Sequence, residues 1–153
     1  MVKDKNMNLS RLIASLVFLS LSCNSFSAID WNDKDVEWHG YVDGLLAAKK
    51  EKKNVVLIVY ADWCGVCKKY STMFQDADVI RNSKNVVLVK LNQDTDTMYL
   101  KKYSLDGEYV PRTYLLDSEF NVMPSPYKSK KYDFYLAPGN ESYLASLLNK
   151  LKK

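Results

Sequence analysis

A chain of 153 residues with 47% hydrophobic content can bury one core and is too short for two comfortable ones. Of the formal charge of +4, a net +2 comes from Lys3, Lys5 and Arg11 against Asp4 in the first 27 residues, leaving only +2 for the remainder. That excludes a nucleic-acid binder, and the lysines at 49, 50, 52 and 53 and at 150, 152 and 153 sit at expected helix ends, where cations complement the dipole, rather than in a basic stripe.

The basic start ends at Arg11 and gives way to an apolar run over residues 12–21, of signal-peptide length and too short to span a bilayer. Small residues at Ser25 and Ser27 set a cleavage point before Ala28, so that residues 1–27 are expected to be a signal peptide and residues 28–153 a single domain, with Cys23 removed. Residues 31–40, with Trp31 and Trp38, read as an irregular lead-in whose rings cover one edge. Tyr41, Leu45 and Ala48, with Val42 and Leu46 beside them, recur at helical spacing and predict an amphipathic helix to about residue 52. The unbroken apolar run 55–60 predicts a fully buried parallel strand, followed by a helix from Cys64 with Tyr70, Met73 and Phe74 on one side. A short helix near Asp76 and a second parallel strand over 86–91 complete a right-handed βαβ unit. Residues 97–103 predict another helix, ended by an Asp106-Gly107 turn, and 113–116 with 120–123 predict an antiparallel hairpin around Asp117-Ser118-Glu119. Residues 124–138, rich in Tyr, Lys and Ser, have no clean period and read as a loop. Asn140 is an expected N-cap for a closing helix with Leu144, Leu147, Leu148 and Leu151 on its apolar face.

The chemistry concentrates in Trp63-Cys64-Gly65-Val66-Cys67-Lys68. Two cysteines three apart, opening a helix behind a buried strand, place the first thiol at the positive helix end, where a thiolate is favoured, and the second one turn inside. Such a pair attacks a disulfide, forms a mixed disulfide and resolves it intramolecularly, with Cys64 as nucleophile and Cys67 as resolving thiol. A zinc half-site would need further ligands, and beyond this pair the chain offers only Cys23 and His39. A purely structural disulfide over so short a loop gains little entropy. No metal or cofactor is expected.

The segment Ala61-Asp62-Trp63-Cys64-Gly65-Val66-Cys67-Lys68 resembles the active-site segment of thioredoxins, which are themselves a standard case of a Cys-x-x-Cys with a lowered pKa. Asp106-Gly107-Glu108-Tyr109-Val110-Pro111-Arg112, followed by Leu115-Leu116-Asp117, is similar to the small thioredoxin-like oxidoreductases of the endoplasmic reticulum and the anterior-gradient proteins. The resemblance covers nearly the whole chain from Trp38 and implies a thioredoxin fold, an α/β architecture with a central mixed sheet flanked by helices. It also implies that Pro111 is cis and packs against the active-site cysteines, leaving the Val110 backbone to pair with an extended substrate segment. Trp63 is then either an apolar platform for substrate or packing for the helix end. Lys90 resembles a lysine found near the thioredoxin active site, and Arg112, carried by the motif, is expected to pair with a carboxylate.

Two departures from thioredoxins stand out. The buried aspartate that thioredoxins keep six residues before the first cysteine is Ile58 here, and the Gly65-Val66 spacer has neither the proline of thioredoxin nor the histidine of strongly oxidising members. Redox poise and direction are left open. The compartment is not: Leu19-Ser20-Leu21-Ser22-Cys23 loosely resembles a bacterial lipobox, with Ser20 where Leu is usual, so lipidation at Cys23 and an uncleaved anchor stand beside ordinary cleavage. All three place the domain outside the cytoplasm. The C-terminal Leu148-Asn149-Lys150-Leu151-Lys152-Lys153 is not a retrieval signal, so a bacterial periplasm or a secreted location is expected. The expected function is a thiol-disulfide oxidoreductase, monomeric, acting on exported proteins with disulfides or dithiols and recycled by an unidentified redox partner. A non-enzymatic peptide-binding or chaperone module is the alternative, and a Cu(I) carrier a weaker one.

Overall fold

In the computed structural model the residues described are 28–153, so the signal segment and Cys23 lie outside them. Four strands and five α-helices follow one another as β1 (Trp38–His39), α1 (Tyr41–Glu51), β2 (Val55–Tyr60), α2 (Gly65–Ser71), α3 (Ala77–Ser83), β3 (Val87–Asn92), α4 (Thr97–Leu100), β4 (Arg112–Leu116) and α5 (Glu141–Lys150). The sheet order is β1-β3-β2-β4. β3 runs parallel to β1 and β2, whereas β4 is antiparallel to β2, which is the mixed thioredoxin sheet.

β2 is apolar throughout because both its faces are covered. Val56 and Ile58 face the cluster that holds Cys64, Cys67, Tyr70, Phe74, Leu144 and Leu148, while Val55, Leu57 and Val59 face a second cluster with Ala48, Tyr103 and Tyr114. α2, α3 and α5 therefore close one layer and α1 the other. Asp76 caps α3, its Oδ1 accepting the Asp78 and Val79 amides at 2.9 and 3.0 Å.

Three sequence expectations are corrected. The lead-in is not wholly irregular: Trp38 and His39 add a short strand beside β3, and Trp31 is buried in the core among Trp38, Tyr60, Tyr70 and Phe74 instead of covering an edge. On α1 Tyr41, Leu45 and Ala48 pack on the core as expected, but Gly44 makes the closest approach to the sheet and Val42 and Leu46 point to solvent. A Cβ at 44 would overlap Val89 Cγ2, so a glycine at this position is what lets helix and strand approach so closely. The hairpin after β4 is reduced to an isolated Leu116–Val122 bridge. Beside that bridge the Met123 amide donates to the Leu115 carbonyl at 2.8 Å, and further along the outer edge of β4 a loop segment takes over, with the Thr113 amide donating to the Phe134 carbonyl at 2.8 Å.

Candidate active site

β2 ends in a tight turn, with the Cys64 amide donating to the Ala61 carbonyl at 3.1 Å, and Cys64 becomes the N-cap of α2. Its Sγ accepts the Cys67 N–H at 3.0 Å. The two cysteines are joined by a disulfide, with Cα atoms 5.2 Å apart. Cys67 is fully buried under the helix, whereas 5% of Cys64 reaches solvent at the turn, so the geometry separates an outer sulfur from an inner one.

The Val110-Pro111 bond is cis, and the Val110 carbonyl oxygen lies 3.8 Å from Cys64 Sγ. Cys64, Cys67, Val110 and Pro111 are thus brought to one place from two distant segments. Trp63 stands beside them, 54% exposed, with its indole N–H donating to Asp94 Oδ2 at 2.9 Å. The loop after β3 is itself tied down: Asn92 Nδ2 donates to Asp62 Oδ2 at 2.9 Å, and the Asn92 amide to Asp96 Oδ2 at 2.7 Å.

Lys90, Ile58 and Thr113 are register partners across β3, β2 and β4 and so line one row on the α2 side of the sheet. In the place of the thioredoxin aspartate the row holds a fully buried isoleucine. Beside it the Tyr70 hydroxyl and Thr113 Oγ1 pair at 3.0 Å, and burial raises the Tyr70 pKa far above the ordinary phenol value. Lys90 takes its carboxylate from the lead-in, at 2.6 Å from Asp33 Oδ1, with its ammonium 5.1 Å from the Trp38 ring centre. Asp33 carries no periodic or motif signal, which is why a sequence reading passes over it.

Among the described residues Arg112 has no carboxylate partner, contrary to expectation. Fully buried, it donates from Nε to the Tyr103 carbonyl at 3.0 Å and from Nη1 to Gln93 Oε1 at 3.3 Å and to the Tyr109 carbonyl. It ties down two backbone carbonyls that precede β4, that of Tyr109 and that of Tyr103, which also accepts the Tyr114 hydroxyl at 2.7 Å. The Asp106-Gly107-Glu108-Tyr109 motif also has a structural reading. Gly107 takes a φ of +135°, and Asp106 Oδ2 accepts the Tyr109 hydroxyl at 2.6 Å and the Asp133 amide at 2.6 Å.

A mixed sheet of this order, with a Cys-x-x-Cys capping the helix after β2 and a cis-proline facing it, defines a thioredoxin-fold dithiol protein. Residues 37–118, more than half of the chain, match the family described as thioredoxin-like, and the chain belongs to it. It is similar to anterior gradient protein 3 of Xenopus tropicalis, 28% identical over 111 residues covering 68% of this chain and 65% of that protein. Similarity to a protein disulfide-isomerase of Schizosaccharomyces pombe is 42% over 45 residues, 29% of this chain and 12% of the isomerase. The chain therefore spans only part of the length of these relatives. Among solved structures, a thioredoxin from Thermus thermophilus superposes with a TM-score of 0.56 at 17% identity, over 76% of this chain and 86% of that one, which is a likeness of fold.

Proposed function

We propose that the protein is a thiol-disulfide oxidoreductase acting on exported proteins, with Cys64 as nucleophile and Cys67 as resolving thiol. The observation that carries this reading is the pair itself: an outer Cys64 sulfur that accepts the Cys67 amide and lies against the Val110 carbonyl, over an inner, buried Cys67. In the reducing direction the Cys64 thiolate attacks one sulfur of a client disulfide, a Cys64–client bond forms and the client's other sulfur leaves as a thiolate. Cys67 then attacks Cys64 Sγ, closing the Cys64–Cys67 disulfide and releasing the client as a dithiol. The two electrons come from an external dithiol partner, which must reduce the pair again; run backwards, the same steps oxidise a client. No cofactor enters.

Val110 supplies backbone for an extended client, flanked by Pro111 and the exposed Trp63. Lys90 and Arg112 support the frame from below. Export rests on the signal-like pattern of residues 1–27, with the mature domain beginning at Ala28 or, if Cys23 is lipidated, at a membrane-anchored Cys23. The domain works as a monomer in the periplasm or outside the cell. The kinship with proteins named disulfide-isomerase supports the same reaction class.

Cys67→Ser in the full chain tests the assignment. Attack survives while resolution is lost, so mixed disulfides between Cys64 and client proteins accumulate in the export compartment and disappear on reduction. No Cys64-linked proteins in that variant would favour a non-enzymatic binding module.

A further inference from the structure

Beyond the short hairpin, residues 124–138 form a strap beside β4 that contains Lys128, Lys130 and Lys131 against one acid, Asp133. Asp106 ties this strap to the segment before Pro111, accepting the Tyr109 hydroxyl and the Asp133 amide on one oxygen, while the Phe134 amide donates to the Tyr109 hydroxyl at 3.2 Å. A tight turn, in which Ser129 Oγ accepts the Tyr132 amide at 2.8 Å, leaves Lys128, Lys130 and Lys131 exposed. Lys131 Nζ sits 4.8 Å from the centre of the Tyr132 ring, which in turn packs 4.0 Å from that of Tyr109.

Between the strap and the start of α5 lies a cleft of about 410 Å³, walled by Pro126, Tyr127, Lys128, Tyr135, Leu136 and Tyr143. Leu136 belongs to the buried cluster that contains Cys64 and Cys67, and Tyr127, Tyr143 and Val110 pack against it. The cleft meets the segment before Pro111 through Tyr135, whose ring centre lies 6.4 Å from that of Tyr109, and it is apolar at its walls with Lys128 at its rim.

We infer that this strap and cleft select client segments that are extended, carry an aromatic side chain near the reacting cysteine, and are acidic on the flank that meets Lys128, Lys130 and Lys131. The aromatic ring enters between Tyr127, Tyr135 and Tyr143, where ring-on-ring packing adds to area burial. The acidic flank lies across the three lysines, which steer the encounter and fix register. The inference rests on the oxidoreductase reading only for the cysteine that such a segment brings to Cys64; recognition itself needs no thiol.

The test therefore uses labelled peptides with serine in place of cysteine, binding to the oxidised full chain by fluorescence anisotropy at low salt. One peptide carries a tyrosine and a Glu-Glu-Glu flank, its counterpart the same tyrosine and a Lys-Lys-Lys flank. The acidic peptide is expected to bind roughly tenfold tighter, as two or three exposed charge pairs allow, and the preference to shrink in physiological salt. Lys128→Ser/Lys130→Ser/Lys131→Ser should abolish the preference, and Tyr135→Ala should weaken both peptides while leaving their ratio intact. Equal binding of the two peptides, a preference for the basic one, or an undiminished preference in the triple variant would overturn the inference. So would concentration-dependent self-association that Tyr135→Ala removes, since the cleft would then belong to a second copy of the chain. Reduction of glutathione disulfide by the reduced protein, run in parallel, reports on the thiol chemistry alone, so loss of that activity with peptide selectivity intact would overturn only the catalytic reading.

Discussion

At the scale of single residues, the two cysteines differ in what surrounds each sulfur. Cys64 Sγ accepts a backbone N–H and its residue keeps a small exposure at the turn, whereas Cys67 is fully buried in the cluster that includes Tyr70. In the reduced protein, iodoacetamide at neutral pH should therefore label Cys64 at least about tenfold faster than Cys67, an order set by access and thiolate character. Peptide mapping by mass spectrometry reads the ratio, and faster labelling of Cys67 would reverse the assigned roles. Ile58 offers a second test, since Ile58→Asp restores the thioredoxin carboxylate to a site with no solvent. Burial raises the folded-state pKa of such a carboxyl above its unfolded value of about 3.9, so the variant's stability deficit is smallest below that pH and grows as pH rises toward the folded-state pKa. Urea midpoints should fall further below those of the parent chain at pH 7 than at pH 4. An equal deficit at both values would mean that Lys90 has left Asp33 to neutralise the new charge.

At the scale of elements, what was legible in the sequence follows the strength of local signals. β2 could be read because six consecutive apolar residues have no solvent-facing alternative, and the capped α2 because its cysteines follow directly. On α1 the spacing of Tyr41, Leu45 and Ala48 marked the core side, but not the exposure of Val42 and Leu46, because spacing carries no information about how closely the helix approaches β3. Gly44 decides that approach, and a glycine contributes nothing to an apolar pattern. Gly44→Ala should destabilise the protein by roughly 1–3 kcal/mol despite the better helix propensity of alanine, because Val89 and His39 would have to move. A denaturant midpoint unchanged or raised would show that α1 can retreat from the sheet without loss. The hairpin is shorter than its pattern predicts: antiparallel pairing is confined to the Leu116–Val122 bridge and the hydrogen bonds beside it, and a strap without periodicity takes over along β4. Within the site, Pro111 and the cysteines were legible through their motifs, while Asp33 and Asp94, isolated acids in polar stretches, become partners only when the chain has folded around Lys90 and Trp63.

For the whole molecule, the tyrosines bind the two layers to the sheet and set its behaviour in alkali. Burial pushes Tyr114 up to about 12 and raises Tyr70, Tyr103, Tyr109 and Tyr127 well above the ordinary value. In the unfolded chain these phenols ionise near pH 10, so the folded state holds protons that the unfolded state has lost. The stability associated with them is complete below pH 10 and is lost as pH rises through the folded-state values, for Tyr114 toward pH 12. Ultraviolet titration should show part of the tyrosinate signal appearing late and together with the loss of near-ultraviolet circular dichroism. A full signal in one step near pH 10, with structure retained, would contradict the packing.

The covered flank of β4 has a consequence for how the domain meets other chains. An open flank of that kind invites any exposed strand to add to it, and a carrier that accepted partners there would be consumed by its own traffic. With Phe134 and Met123 occupying hydrogen-bonding positions along β4, and only two residues of β1 at the opposite margin, the sheet is a poor template for growth. Under the proposed function, contact with a client is left to the short stretch at Val110, where docking ends in a covalent bond that Cys67 can cut. Polymerisation is thereby traded for turnover.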